Sequence, residues 1–97
     1  MEKSFEWNEE KNKWLQKYRD ITFEEIAFFI EKGGLLDSYE HPNRERYPRQ
    51  SIFVVQTDTY VYIVPYVEED DYYFLKTIIP SPDKMDKYLN KLVSTNS

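Results

Sequence analysis

The chain's only two glycines stand side by side at Gly33-Gly34, and they divide it into two parts with different periodicities. Before them apolar residues recur every three or four positions. After them they alternate or run in short β-branched blocks. A glycine pair ends a helix readily because its backbone reaches positive φ without a Cβ penalty. The break therefore predicts helices in the first third and strands beyond it.

Within the helical part, Phe5-Glu6-Trp7 leads into Asn8-Glu9-Glu10-Lys11, a helix start with acids in its first turn. Trp7, Trp14, Leu15 and Tyr18 fall on one helical face and are expected to pack in the core. Thr22-Phe23-Glu24-Glu25 reads as a capping box, a threonine cap with glutamate three residues on. Phe23, Ile26, Ala27 and Ile30 follow at helical spacing.

Beyond the glycines, 35–39 reads as a first strand and 52–55 as a second, dense in β-branched and aromatic residues. After the polar turn 56–59, a third strand over 60–67 places Val61, Ile63 and Val67 on one face. Tyr60, Tyr62, Val64 and Tyr66 take the other. Pro65 has no N–H to give a ladder, so the strand is at an edge there or carries a bulge. Glu68-Glu69-Asp70-Asp71 makes an acidic hairpin loop before a fourth strand over 72–79. Ser81-Pro82-Asp83 opens a last helix with Met85, Tyr88, Leu89 and Leu92 as its buried stripe. The order α-α-β-β-β-β-α with short connections implies an α+β domain, a mostly antiparallel four-stranded sheet packed with helices. With 97 residues this is one domain, expected over 1–93 with a frayed tail at 94–97.

Composition narrows the chemistry. Eighteen acidic against thirteen basic residues give a formal net charge of −5, which argues against indiscriminate nucleic-acid binding. There are no cysteines and one histidine, so disulfides and thiolate sites are excluded, and neither a metal nor another cofactor is expected. No apolar run approaches a membrane span and no signal peptide opens the chain, so a cytoplasmic location is expected.

Against that acidic background, the stretch His41-Pro42-Asn43-Arg44-Glu45-Arg46-Tyr47-Pro48-Arg49-Gln50 gathers the only histidine and three arginines between two prolines. Arginine binds phosphate through a planar fork, and histidine moves protons near neutral pH. The pairing points to phosphate binding or phosphodiester chemistry. Metal-free RNA cleavage needs a base for the 2′-hydroxyl, cations for the phosphorane-like state and an acid for the leaving oxygen. The candidate catalytic residues are His41, Arg46, Lys76 and Tyr88; the candidate substrate-binding residues are Arg44, Arg49, Tyr47 and Lys84. Each has a plainer reading: a surface turn for His41, ion pairs for two arginines, a solvated strand face for Lys76 and helix packing for Tyr88.

Several segments together resemble the BrnT family of toxins: Phe5-Glu6-Trp7-Asn8-Glu9-Glu10-Lys11, Ile21-Thr22-Phe23-Glu24-Glu25, the turn around His41, and Lys76-Thr77-Ile78-Ile79-Pro80-Ser81. They span nearly the whole chain in the family's order. The resemblance implies a RelE-like ribonuclease fold and a place in a prokaryotic type II toxin–antitoxin system. It further implies an RNA substrate, neutralisation by a small DNA-binding antitoxin and oligomers formed through that antitoxin. The family usually carries Arg-Lys-Ala before its last helix, where this chain has Pro82-Asp83-Lys84. That departure leaves two expectations open, a toxin-type endoribonuclease and a catalytically weakened or silent interaction module that keeps the fold. In either case Arg44, Arg46 and Arg49 are expected to face an acidic partner, with Tyr60, Tyr62 and Tyr66 as neighbouring apolar anchors, unless a helix of the same chain covers that tyrosine face.

Overall fold

A computed structural model of the chain describes residues 3–87. Its first element is a strand and not the approach to a helix: β1 is Ser4–Trp7, with Phe5 and Trp7 turned inward and Ser4 and Glu6 outward. Alternation over four residues satisfies a strand, and β1 lies parallel to a later strand that is distant in sequence. Asn8 then caps α1, Glu9–Arg19, its Oδ1 accepting from the Lys11 N–H at 2.9 Å. Asp20, at φ 55°, ends it in the left-handed region that short polar residues tolerate. Thr22 caps α2, Phe23–Phe29, accepting from the Glu25 N–H at 3.2 Å, as the capping-box pattern predicted. The helix runs on into a π turn, Ile30–Gly34, and leaves it through Gly33 at φ 93°. Gly34 answers a different need. A Cβ there would stand 2.5 Å from the Gln56 carbonyl oxygen, so the chain passes the sheet only without a side chain.

Five further strands follow: β2 Leu35–Glu40, β3 Gln50–Gln56, β4 Val61–Glu68, β5 Tyr72–Leu75 and β6 Ile79–Pro80. The order across the sheet is β1-β5-β4-β3-β2, with β6 on the β5 side of β4. All pairings are antiparallel except β1 with β5. The sheet thus has six strands instead of the expected four. One addition is β1; the other comes from the division of the expected fourth strand. Tyr66 pairs with Leu75, but Ile63 pairs with Ile79, so one extra residue is accommodated between β5 and β6. The break lies opposite Pro65, whose carbonyl accepts from the Lys76 N–H at 2.8 Å while its nitrogen has nothing to return. The bulge expected at Pro65 therefore falls on the neighbouring strand.

One face of the sheet carries the main core. Phe53 and Val55 of β3, Tyr62, Val64 and Tyr66 of β4, and Leu75 and Ile78 meet Leu15, Ile21, Phe23, Ile26 and Ile30 from the helical half. Phe53 and Tyr66 stack with ring centroids 3.7 Å apart, and the Tyr66 hydroxyl lies 3.0 Å from Ser38 Oγ. Tyr62 and Tyr66 are consequently buried under the chain's own helices, and Tyr60 packs against the same cluster, so this face does not supply exposed anchors. On α1 the reverse holds. Its inward residues are Asn12 and Leu15, while Trp14 and Tyr18, expected in the core, stand exposed. Asn12 clamps the two helices, accepting from the Phe23 N–H at 2.7 Å and donating to Glu24 Oε1 at 2.6 Å.

A third helix begins at 82, with Ser81 Oγ accepting from the Lys84 N–H. Tyr88, Leu89, Leu92 and the expected tail at 94–97 lie outside the described residues. Among the described residues, no helix is long and apolar enough to cross a membrane.

Candidate functional site

The segment from His41 to Arg49 leaves β2 and returns to β3, and local hydrogen bonds give it a fixed shape. The His41 N–H donates to the Gln50 carbonyl at 3.0 Å, extending the β2–β3 ladder by one step. Asn43 organises the turn from three atoms. Its Oδ1 accepts from the Arg46 N–H at 3.1 Å, its carbonyl from the Tyr47 N–H at 3.0 Å, and its own N–H donates to His41 Nδ1 at 3.0 Å. Asparagine forms such turns because its short side chain reaches the backbone two or three residues on.

That last bond determines what His41 can do. A nitrogen that accepts a hydrogen bond carries no proton, so neutral His41 bears its proton on Nε2. Its only lone pair is already engaged by Asn43, and what it offers is the Nε2–H as a donor. The imidazole sits 4.5 Å from the Tyr47 ring centroid to centroid, and the Arg46 guanidinium lies over the same ring at 5.4 Å. His41, Tyr47 and Arg46 therefore form one unit on the loop. Among the described residues no carboxylate pairs with Arg46.

The other two arginines are occupied. Arg44 faces Glu40 across 3.7 Å, and Arg49 donates to Glu69 Oε1 at 3.2 Å. The second contact follows from topology. Gln50 pairs with Val67, so the loop and the acidic β4–β5 hairpin emerge at the same end of the sheet. Lys3 joins them there, donating to Glu68 Oε2 at 2.6 Å and to the Glu69 carbonyl at 2.7 Å. The hydrogen bond to the Glu68 carboxylate holds the Lys3 ammonium above its ordinary range, outweighing the opposing effect of desolvation. This end of the molecule is charge-compensated and not a cationic cleft.

Lys84 stands over the Tyr39 ring at 5.3 Å, two residues before His41 and on the same side of β2 by strand alternation. Burial, with a smaller push from Asp37, raises the Tyr39 phenol above its usual range. Lys76 is elsewhere. It follows β5, its ammonium lies 5.3 Å from the Phe74 ring, and three strand spacings, about 14 Å, separate β5 from β2. The structure thus gathers His41, Arg46, Tyr47 and, through Tyr39, Lys84. It leaves Lys76 apart and ties Arg44 and Arg49 to acids. Asn43, which sequence reasoning passed over, is the residue that shapes the site. Its signal was an asparagine directly after His41-Pro42, in a position to turn the chain.

Compared with protein-family models, with curated proteins and with solved structures, the chain matches none.

Proposed function

We infer that this chain is a toxin-type domain of a toxin–antitoxin pair, an endoribonuclease that cuts RNA by 2′-hydroxyl attack without a metal. The α+β architecture, with two helices packed on a mostly antiparallel sheet, is compatible with this reading, and the family resemblance of its sequence motivates it. The observation that carries it is the His41–Tyr47–Arg46 unit, where an N–H donor and a guanidinium with no carboxylate partner among the described residues share one aromatic ring. In this reading Arg46 holds the scissile phosphate through its fork, His41 donates from Nε2 to a phosphate oxygen, and Lys84 adds positive charge from the Tyr39 side. For His41 to serve as the base, Nδ1 must first release the Asn43 N–H.

That same bond favours a second reading, a catalytically silent interaction module that keeps the toxin fold. With the histidine lone pair engaged and two arginines neutralised, the loop binds anions more readily than it moves protons. Pro82-Asp83 points the same way.

One experiment separates them. Purified protein is incubated with labelled RNA at low salt in EDTA, and the chain is induced in bacteria with and without His41→Ala plus Arg46→Ala. Cleavage and growth arrest that both vanish in the double variant support the nuclease. Intact RNA and normal growth, with a small DNA-binding partner still bound, support the module.

A further inference from the structure

We propose that the outer face of α1 is a docking surface for an acidic segment of a partner protein, separate from the His41 loop and independent of the reading given for it. Trp14 is 41% exposed and Tyr18 62% exposed, and their rings lie 5.3 Å apart on adjacent turns of the helix. Cations line the pair. Lys11 Nζ is 4.3 Å from the Trp14 ring centroid, Arg19 Cζ is 5.0 Å from the same ring, and Lys17 Nζ is 5.2 Å from the Tyr18 ring. Arg19 is also anchored at its other side, donating to the Ile78 carbonyl.

Three features distinguish this from an ordinary solvated helix face. In a chain of net charge −5, no carboxylate among the described residues pairs with Lys11, Lys17 or Arg19. Of the two first-turn acids, Glu9 is engaged elsewhere, accepting from Trp7 Nε1 at 2.8 Å. Trp, Tyr and Arg are also the side chains that most often dominate interface energy. Here they are gathered on one exposed helix face, Trp14 against Tyr18 with the cations over their rings.

The geometry also selects among anionic partners. Single-stranded nucleic acid binds by stacking bases on open aromatic faces. The Trp14 ring already carries Lys11, Arg19 and the tilted Tyr18 ring against it, so no clear platform is presented. A polypeptide with carboxylates one helical turn apart and apolar residues between them instead meets the cations with its acids and the ring edges with its apolar groups.

The test uses the full chain and a designed amphipathic peptide of alternating Glu and Leu turns. A Gln-for-Glu copy of that peptide and an oligouridylate serve as comparison ligands. The acidic peptide should bind at low salt, weaken steeply with added salt, and shift amide resonances over residues 11–19. Lys11→Glu with Lys17→Glu, and separately Trp14→Ala with Tyr18→Ala, should each weaken it at least tenfold. Arg44→Gln with Arg46→Gln should change it less than twofold. The resonance map of the unaltered chain holds the question open to either answer even where a variant folds poorly. Equal binding of the Gln peptide, shifts confined to the His41 loop, or oligouridylate binding that the α1 substitutions abolish would each overturn the proposal.

Discussion

Two parts of this molecule concentrate cations, and they treat them differently. In the 41–49 loop Arg44 and Arg49 point at glutamates, and only Arg46 is left over an aromatic ring. On α1, Lys11, Lys17 and Arg19 all lie over Trp14 or Tyr18. An ion pair cancels a charge seen from outside; a cation on a π face remains a cation. The loop is the richer in arginine, yet α1 presents more positive charge left unpaired among the described residues. Density of arginine along a chain therefore says little about availability until the acids brought in by the fold are known.

Both regions ride on one shared core, and disrupting that core should have the largest effect. Phe53 stacks on Tyr66 beneath the helices and sits in β3 a few residues from the loop. Phe53→Ala should lower unfolding free energy by about 3–5 kcal/mol in urea titrations, and both regions should lose protection together. A loss confined to one of them would mean that the two are not coupled through the sheet. Asn12→Ala should act more selectively. It strands the Phe23 N–H in a buried place and frees Glu24, at a cost of about 1–3 kcal/mol. Amide exchange should quicken in α1 and α2 while the 41–49 loop keeps its rate.

Much of the architecture was legible because local signals agreed. The Thr22 cap, the Phe23-Ile26-Ile30 stripe and the Gly33 stop were all local, and each appears where its chemistry requires. What escaped depended on partners distant in sequence. Ser4–Trp7 becomes a strand only because Tyr72–Leu75 is beside it. Trp14 and Tyr18 looked like core because they are large and helically spaced, but Leu15 and Asn12 define the inward side. The tyrosines of β4 alternated as expected, yet only the helix arrangement shows that their face is the covered one. At the site, His41 and Arg46 were legible as candidates from their residue types. The bond that fixes the histidine's tautomer, and the acids that neutralise Arg44 and Arg49, were not.

Changing pH probes the acid-compensated end and the core in one titration. Tyr39 and Tyr62 have phenols raised chiefly by burial, and Lys3 is raised chiefly by its bond to Glu68. A raised folded-state value means that the native state holds its proton longer than the unfolded chain. Each group's contribution is therefore fully present below its unfolded value, 10.0 for tyrosine and 10.5 for lysine, and is lost as pH rises through the folded one. Chemical denaturation should show stability falling above about pH 10. Tyr62→Phe should make that decline shallower. An equal slope in the variant would show that Tyr62 does not contribute to it.

The smallest expected effect bears most directly on the contrast between the two cationic regions. Arg49 and Glu69 are both open to water, so their pair should stabilise the fold by only about 0–1 kcal/mol. Glu69→Gln should accordingly leave the denaturation midpoint almost unmoved. Its consequence should lie in the electrostatics, because Arg49 would then be released beside Arg46 and the loop would become the cationic surface that its sequence suggests. Binding of inorganic phosphate, followed by chemical shifts at residues 41–49, should strengthen in this variant and weaken with salt. Residues 11–19 should show no change between variant and parent. If phosphate affinity at the loop stays the same, neutralisation by the acidic hairpin is not what separates the loop from α1, and the loop's own backbone geometry around Asn43 must be limiting it.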